Sequence, residues 1–487
     1  MLLAFLLSIA AADAPGGETG GGGGSGSGSG GYSQIAKLTA DDAAADDNLG
    51  YFVAIDGDFV VAGAREHYWG LNPENGSAYV FRTTDGGQTY GQVVKLMPSD
   101  SEGGDKFGEI VGIDGDTIVV SAGYKDGGDE CYQYGYQETG ADCEQGAVYI
   151  FRTSNGWGTY TETKLTAADG AAEDNFGRSV AIEGNTVVVG AQGVDDAGLS
   201  SGAVYVFTTS DGWNTYTENK LTASDAAESD NFGWSVAIAG GVVVVGAYGV
   251  NTQTGAIYVF RTSDGWNTHT EIKLTASDAA SGDQFGLSVA IDGNTVVVGA
   301  EQTYSEGPGA AYVYRTTDGW STHTEIKLTA SDGASEDLFG HSVAIDGETV
   351  LVGAYYDDPV PRDSGSAYVF RTSDGGATYP QVAKLTAADA AAFDEFGRSV
   401  AIDGGIIVAG APYDSGGSVY VFSPPAPTVQ PTPRPTWTFQ PTPQPTVSPK
   451  PTTPQPSTTA LGSDSATRAG GTLATALLAF AATALAL

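Results

Sequence analysis

Pairs of aspartates recur in this sequence at a fixed distance before a Phe-Gly or Leu-Gly step. One aspartate lies seven positions before the step and the other lies two positions before it. Two carboxylates in one loop can bind a hard cation such as calcium, and they can equally accept backbone N–H bonds that fix the loop. The seven pairs are Asp42 and Asp47, Asp100 and Asp105, Asp169 and Asp174, Asp225 and Asp230, Asp278 and Asp283, Asp332 and Asp337, and Asp389 and Asp394.

The pairs belong to a longer unit that the chain repeats. In one copy, residues 288–291, 295–300, 310–316 and 323–329 read as β-strands, because they are rich in β-branched and aromatic residues and short turns separate them. Four antiparallel strands in each of seven copies predict an all-β fold, a seven-bladed β-propeller. The Phe-Gly or Leu-Gly step of each copy begins at Leu49, Phe107, Phe176, Phe232, Phe285, Phe339 and Phe396.

The phase of the repeat predicts how the ring closes. A fourth-strand motif, QIAKLTA at 34–40, precedes the first copy, and the last copy stops after its third strand at 418–422. We therefore expect the N-terminal strand to complete the seventh blade and to cover the sheet edge that would otherwise be exposed.

Because all seven copies carry the aspartate pair, a role in loop structure is favoured over a metal site. Catalysis has no support in the sequence either, since it contains no GxSxG, HExxH or P-loop motif. We predict that the protein is not an enzyme and carries no cofactor. Calcium stays the alternative, with candidate ligands at Asp225, Asp230, Asp278, Asp283, Asp332 and Asp337.

Acidic residues outnumber basic ones 59 to 21, which gives a formal net charge of −38. This charge repels nucleic acid and anionic lipid headgroups, and it attracts cations and basic partners. We therefore expect no nucleic-acid partner.

Both ends of the chain differ from the repeats. Residues 1–14 resemble a secretory signal peptide, and residues 15–32 form a Gly- and Ser-rich leader. After the propeller at 33–423, the Pro- and Thr-rich residues 424–460 predict an extended stalk. Residues 461–487 are typical of a GPI-anchor signal, and a short membrane tail is the alternative. The predicted attachment region is Gly462, Ser463, Asp464 and Ser465.

The loops between the second and third strands differ most between copies. Such variable, Tyr-rich loops on a rigid scaffold are typical of recognition surfaces, and neutral drift in solvent is the alternative. One loop contains Cys131 and Cys143, which are predicted to form a disulfide, and another contains the glycosylation sequon at Asn75. The candidate ligand-binding residues are Tyr68, Trp69, Tyr132, Tyr134, Tyr136, Tyr304, Tyr355 and Tyr356.

Four tryptophans follow turns at the opposite end of the blades. Stacking on a sugar is one interpretation, and packing of each ring over its own hairpin is favoured. These residues are Trp157, Trp213, Trp266 and Trp320.

The motifs FGRSVAI at 176–182 and FGRSVAIDGGIIVAGAP at 396–412 resemble FG-GAP repeats, the units of the integrin α-subunit propeller. The resemblance covers residues 33–423 and implies an extracellular binding or adhesion protein. The calcium loop that integrin repeats carry between the first and second strands has no counterpart here. Turns such as Asp292-Gly293-Asn294 are too short to surround a calcium ion.

We therefore expect a secreted, monomeric propeller at the extracellular face of the plasma membrane, tethered by a lipid anchor or tail, that binds an extracellular protein or glycan. Two other classes stay open: an extracellular propeller enzyme that acts on polysaccharide, and a passive acidic coat protein.

Overall fold

A computed structural model of the protein describes residues 31–65, 75–125, 145–302, 307–359 and 362–425. These residues form seven sheets of four antiparallel strands each. In six of the sheets the strands follow one another in chain order, so that each sheet is one blade. The predicted all-β, seven-bladed propeller is therefore confirmed.

The first four blades begin after Asn48 and end at Leu274. Blade one consists of Leu49–Asp56, Phe59–Ala64, Ser77–Thr83 and Tyr90–Leu96. Blade two consists of Val111–Asp114, Thr117–Ala122, Ala147–Thr153 and Tyr160–Leu165. Blade three consists of Phe176–Glu183, Thr186–Ala191, Ala203–Thr208 and Thr217–Leu221. Blade four consists of Ser235–Ala239, Val242–Ala247, Ala256–Arg261 and Thr270–Leu274, with one short helix, Val250–Gln253, between its second and third strands.

The remaining three blades complete the ring. Blade five consists of Ser288–Asp292, Thr295–Ala300, Ala310–Arg315 and Thr324–Leu328. Blade six consists of Ser342–Asp346, Thr349–Ala354, Ser366–Arg371 and Gln381–Leu385. Blade seven consists of Val400–Asp403, Ile406–Ala411, Ser418–Ser423 and the N-terminal strand Ser33–Leu38. Nowhere in the described ranges does a helix reach the length and hydropathy of a membrane span.

The N-terminal strand closes the ring, as the repeat phase predicts. Ser33 pairs with Ser423 and Leu38 pairs with Val419 in an antiparallel register. Lys37 reaches across to Asp389 at 2.6 Å, which links the first strand of the chain to the last blade. The first strands of neighbouring blades contact one another all the way round, including the contact between blades seven and one.

The core lies between the blades. The second and third strands are buried on both faces, which explains their uninterrupted apolar runs. The phenylalanine of each Phe-Gly step anchors the shared core, and Phe176 packs edge-to-face on Tyr205 at 5.5 Å and on Phe207 at 5.8 Å. Burying one such side chain contributes about 1.5–3 kcal/mol, so seven interblade clusters give the ring most of its cohesion.

Neighbouring blades meet backbone to backbone at the Gly-Ala and Phe-Gly steps. A Cβ added to Gly190 would lie 1.9 Å from the carbonyl oxygen of Gly233 in the next blade. The same carbonyl accepts a hydrogen bond of 2.8 Å from the Ser179 hydroxyl. Equivalent serine bonds join later blades, and Ser399 donates to Gly50 across the ring closure at 2.8 Å. The repeated glycines are therefore required by close approach between blades.

The four tryptophans are buried, with Trp213 only 3% exposed. Trp213 belongs to the hydrophobic cluster that blades two and three share, so its ring packs into the interblade core as well as at its own turn. In blades one and six the same turn position holds Gly87 and Gly376. This location favours a structural role for the tryptophans.

Candidate functional site: loop aspartates and the channel mouth

The first aspartate of each pair binds a tyrosine and a lysine of the blade that its loop enters. The carboxylate of Asp42 accepts a hydrogen bond of 2.9 Å from the Tyr79 hydroxyl and one of 2.7 Å from the Lys95 ammonium. We call this set of three residues a triad. The other triads are Asp100, Tyr149 and Lys164; Asp169, Tyr205 and Lys220; Asp225, Tyr258 and Lys273; Asp278, Tyr312 and Lys327; Asp332, Tyr368 and Lys384; and Asp389, Tyr420 and Lys37.

Blade six departs from this pattern in one bond. The Tyr368 hydroxyl is buried and makes no hydrogen bond of ordinary length and angle within the described part of the chain, although Asp332 is near enough to interact with it. Lys384 contacts Asp332 at 2.6 Å and lies 5.1 Å from the Tyr368 ring. The other six tyrosine hydroxyls donate to their aspartates. A comparison of blade six with the other blades therefore measures how much the tyrosine-to-aspartate bond contributes to stability.

The triads place a cation of the chain itself beside the loop carboxylate. The bond from Lys95 holds the pKa of Asp42 below its ordinary value, against the effect of burial. Burial disfavours the charge of Lys95, but its bonds to Asp42 and Tyr79 outweigh burial and raise the pKa of Lys95 to about 12. The ammonium group thus fills a position where a bound cation would otherwise be expected.

The second aspartate of each pair bonds to its own loop. Asp47 accepts the backbone N–H of Ala44 at 2.7 Å, and Asp230 accepts that of Ala227 at 2.9 Å. The same bond recurs in the remaining loops. These bonds match the structural interpretation of the second aspartate.

Burial raises the pKa of five second aspartates above the ordinary value, namely Asp105, Asp174, Asp230, Asp337 and Asp394. It raises the pKa of Asp337 to about 6, the backbone bond from Ala334 opposes the rise, and the nearby Asp357 adds to it. Asp337 is only 5% exposed, so removal of its carboxylate from water accounts for the direction.

Among the described residues, no group of three or more histidine, cysteine or acidic side chains is arranged to hold a metal ion. Each of the six metal candidates has the kind of partner described above for its position in the pair. Asp225, Asp278 and Asp332 contact Lys273, Lys327 and Lys384, while Asp230, Asp283 and Asp337 accept backbone N–H bonds from Ala227, Ala280 and Ala334.

A cavity of about 350 Å³ lies on the axis of the ring, lined by the first strands of all seven blades. We call it the channel mouth. Its wall includes the residue that directly follows the Phe-Gly or Leu-Gly step, at the same end of the blades as the aspartate loops. In chain order these residues are Tyr51, Glu109, Arg178, Trp234, Leu287, His341 and Arg398, and all except Glu109 line the cavity.

One half of the mouth is a set of mutually supporting contacts around Arg398. Its guanidinium donates to Glu395 at 2.6 Å and to the Tyr51 hydroxyl at 3.0 Å. It also stacks 4.6 Å from the Tyr51 ring centroid and 4.9 Å from that of Tyr355. Arg65 covers the Tyr51 ring at 4.0 Å, so this half of the mouth is held in place by several side chains.

His341 continues the wall towards blade five. Its Nδ1 lies 2.6 Å from the Glu301 carboxylate, and its ring packs 4.4 Å from Tyr355. Tyr355 in turn lies 4.4 Å from Tyr356. These two predicted ligand-binding tyrosines are therefore beside the mouth, where Tyr355 is 5% exposed and supports His341.

The other half of the mouth is simpler. The Arg178 guanidinium lies 3.8 Å from the Trp234 ring centroid, and Trp234 packs edge-to-face on Tyr248 at 4.6 Å. In the described part of the chain, the Arg178 guanidinium makes no hydrogen bond or ion pair. It is a cation held by stacking alone.

Several predicted residues lie outside the described ranges. They are Tyr68, Trp69, Tyr132, Tyr134, Tyr136, Tyr304, Cys131, Cys143, Gly462, Ser463, Asp464 and Ser465. Asn75 is described, is half-buried, and lines a second cavity of about 450 Å³ together with Asp42 and Lys95.

The sequence interpretation missed the channel mouth. The available signal was the single position after each Phe-Gly or Leu-Gly step, whose residue changes from blade to blade while its neighbours repeat. The variable loops drew attention because they are longer.

A closed ring of seven four-stranded blades with a variable axial mouth defines a β-propeller of the kind that binds ligands. Seven segments of the chain, which together span more than half of it, match the family model described as the FG-GAP repeat: residues 32–81, 90–151, 160–207, 216–260, 268–314, 322–370 and 379–422. The chain belongs to the FG-GAP repeat family, whose repeats are typical of extracellular proteins.

Among solved structures, the chain is similar to Sqt1 of Saccharomyces cerevisiae. The sequence identity is 10% and the TM-score is 0.41, with 77% of this chain and 86% of that chain covered. No curated protein matches the chain.

Proposed function

We propose that the protein is a non-catalytic binding protein that holds an extracellular protein or glycan at the channel mouth. One observation carries this proposal. Six of the seven equivalent positions line one cavity, and they hold tyrosine, arginine, tryptophan, leucine, histidine and arginine. A cavity of about 350 Å³ falls within the usual range of about 300–1,000 Å³ for ligand pockets.

The frame around these positions supports the proposal. In blades three to seven the next residue is a serine whose hydroxyl donates to a glycine carbonyl of the neighbouring blade. The residue before the variable position is the glycine of the Phe-Gly or Leu-Gly step. Because the frame carries the interblade contacts, the variable side chain is free to differ without changing the ring, as recognition positions on a rigid scaffold are.

The proposed setting is the outside of the cell. FG-GAP repeats are typical of extracellular proteins, and residues 1–14 and 461–487 have the composition of a secretory signal and a lipid-anchor signal. One chain closes the whole ring, so we propose that the propeller acts as a monomer on a stalk above the membrane.

We further propose that the loops need no calcium, because a lysine already neutralises the first aspartate of each pair. Calcium and magnesium at equal ionic strength should then raise the melting temperature equally, through screening of the −38 charge. A shift specific to calcium that disappears in the Asp225→Ala, Asp230→Ala variant would show that these loops bind the ion.

Binding is tested by probing protein and glycan arrays with the full chain and two variants. The mouth variant combines Trp234→Leu and His341→Leu, and both changes copy the residue that blade five holds at this position. The control is Arg371→Leu, because Arg371 lies at the opposite end of its blade beside Glu348. We expect a ligand that binds the natural chain and the control but not the mouth variant.

The other outcomes separate the rival classes. A ligand that binds all three proteins equally would contradict the role of the mouth. Turnover of a polysaccharide on the array would favour a propeller enzyme, and failure to bind any ligand would favour a passive acidic coat.

A further inference from the structure

Among the described residues, Arg178 differs from the triad lysines and from the other two arginines at the mouth. The triad lysines contact aspartates, Arg398 binds Glu395, and Arg65 binds Glu109 at 2.9 Å. Arg178 has no such partner among the described residues, although the chain carries a net charge of −38. Within the described residues, this guanidinium therefore lines the axial cavity without an acidic partner and is available to an anion.

The stacking contact prepares this guanidinium for a planar anion. Trp234 covers one face of Arg178 at 3.8 Å, and Tyr248 supports the indole ring from its edge. Stacking on an aromatic ring restricts the guanidinium without using its N–H donors, so the edge of the group stays available. Two parallel N–H donors match the geometry of a carboxylate in a bidentate pair.

The surroundings of the mouth restrict what carries the carboxylate. The loops that enter the blades present exposed acidic side chains, namely Asp46, Glu102, Glu173, Glu228 and Glu336. A polymer with many carboxylates is repelled by this field. A basic segment is attracted by the field, and a single carboxylate within it is attracted by Arg178.

We propose that the channel mouth binds one carboxylate of an otherwise basic protein segment, with Arg178 as its bidentate partner and Trp234 as the support of that arginine. This proposal rests on the proposed function and specifies its ligand. The lysine- or arginine-rich flanks of the segment lie against the acidic loops, and the carboxylate enters the cavity.

The test uses the full chain and an array of Lys- and Gly-rich peptides, each with one internal glutamate. A matched array replaces that glutamate with glutamine. We expect the glutamate peptides to bind about tenfold more tightly, because a hydrogen bond between charged groups is stronger than a neutral one. Affinities are then measured for the best pair by calorimetry.

Variants of the chain test whether Arg178 causes the preference for glutamate over glutamine peptides. Arg178→Leu should bind glutamate and glutamine peptides equally, and its fold is protected because Leu287 occupies the same position in blade five. Arg178→Lys should keep only part of the preference, since an ammonium lacks the bidentate fork. Arg371→Leu at the opposite end should keep all of it.

Each of the other possible results contradicts one part of this proposal. Equal binding of glutamate and glutamine peptides by the natural chain would contradict the carboxylate site. A preference for glutamate peptides that persists in Arg178→Leu would contradict it as well. Tighter binding of polyuronate, or equally tight binding of free acetate, removes the basic protein segment. If the arrays instead yield an uncharged ligand that the Trp234→Leu, His341→Leu variant loses, the proposed function stands and this inference fails.

Discussion

The triads and the positions of the channel mouth both recur once in each blade, but the triads keep the same residues in every blade and the mouth does not. Each triad repeats the same aspartate, tyrosine and lysine, and it joins a loop to the third and fourth strands of one blade. The mouth repeats only the position, and its side chains change from blade to blade. Identity across blades accompanies a structural contact, whereas variation within a constant frame accompanies a surface available for recognition.

The two regions also balance charge differently. Every triad aspartate has its own lysine, so the charge of each first aspartate is neutralised locally by the chain. At the mouth, Arg398 and Arg65 are paired with glutamates, whereas Arg178 has no acidic partner among the residues that the structure describes. This contrast predicts that changes in the frame lower stability, and that changes at the mouth alter binding with little effect on stability.

The largest effect is expected from deleting residues 33–38, which removes the fourth strand of blade seven and Lys37 from its triad. The third strand Ser418–Ser423 would then be an open edge, and the loss should be on the order of 5 kcal/mol or more, comparable with the whole stability of many domains. Thermal unfolding and light scattering measure it. A deletion of residues 15–30 serves as the control, and equal melting temperatures for both deletions would contradict ring closure.

Gly190→Ala should cost about 3 kcal/mol or more, because the new Cβ would lie 1.9 Å from the Gly233 carbonyl oxygen and 2.3 Å from the Ser179 hydroxyl. Gly91→Ala is the control, since nothing lies within 4 Å of its Cβ. Urea unfolding compares the two. If both variants unfold at the same urea concentration, the blades do not approach as closely as described.

Asp337→Asn should change how stability depends on pH. The pKa of folded Asp337 is about 6 against an ordinary 3.8, so between these values the folded state holds a proton that the unfolded state has released. The contribution of this group is complete below about pH 4 and is lost as pH rises through 6, by up to about 3 kcal/mol. The stability of the variant relative to the natural chain should therefore increase as pH rises.

Melting temperatures from about pH 2 to about pH 7 provide that measurement, because the two carboxyl groups titrate in different parts of this range. Asp332→Asn is the control with the opposite sign, because burial raises the pKa of Asp332 but its bond to Lys384 lowers it overall. The stability of the natural chain relative to this second variant should increase as pH rises from below the pKa of folded Asp332. Parallel curves for all three proteins would show that neither carboxylate is perturbed.

The triad bond itself is measured by Tyr258→Phe, which removes the donor to Asp225 at 2.8 Å. We expect a loss of about 1.5–3 kcal/mol, the usual contribution of a hydrogen bond to a charged group. Tyr368→Phe is matched to it, since the Tyr368 hydroxyl makes no bond of ordinary length and angle within the described residues and only lies near Asp332, so this variant should lose less stability. Equal losses in the two variants would mean that the hydroxyl bond contributes nothing.

The sequence was sufficient for the fold because strand pattern, turn chemistry and copy number all agree, and the position of the QIAKLTA motif at 34–40 predicts the closure. The sequence also predicted the backbone bonds of Asp47 and its equivalents, because each of these bonds lies within one short loop. It missed the partner of Asp42, because Lys95 lies 53 residues further along the chain and meets it only when the loop folds over the blade.

The mouth was missed for a related reason. No local rule places Arg178 beside Trp234, since these residues belong to different blades and meet only in the closed ring. The signal was present in an alignment of the chain with itself, but its meaning depends on knowing that the first strands surround the axis.

The smallest effect on stability is expected at the mouth, from Trp234→Leu. The indole is partly exposed, its neighbours are the side chains of Arg178 and Tyr248, and blade five holds a leucine at this position. The free energy of unfolding should therefore change by only about 0.5 kcal/mol, as for most surface substitutions. At the same time Arg178 loses its support and regains rotational freedom, so the preference for glutamate over glutamine peptides should weaken. Urea unfolding and peptide calorimetry on one preparation measure both quantities. A large loss of stability with unchanged peptide preference would reverse the contrast between frame and mouth, because Trp234 would then be part of the frame.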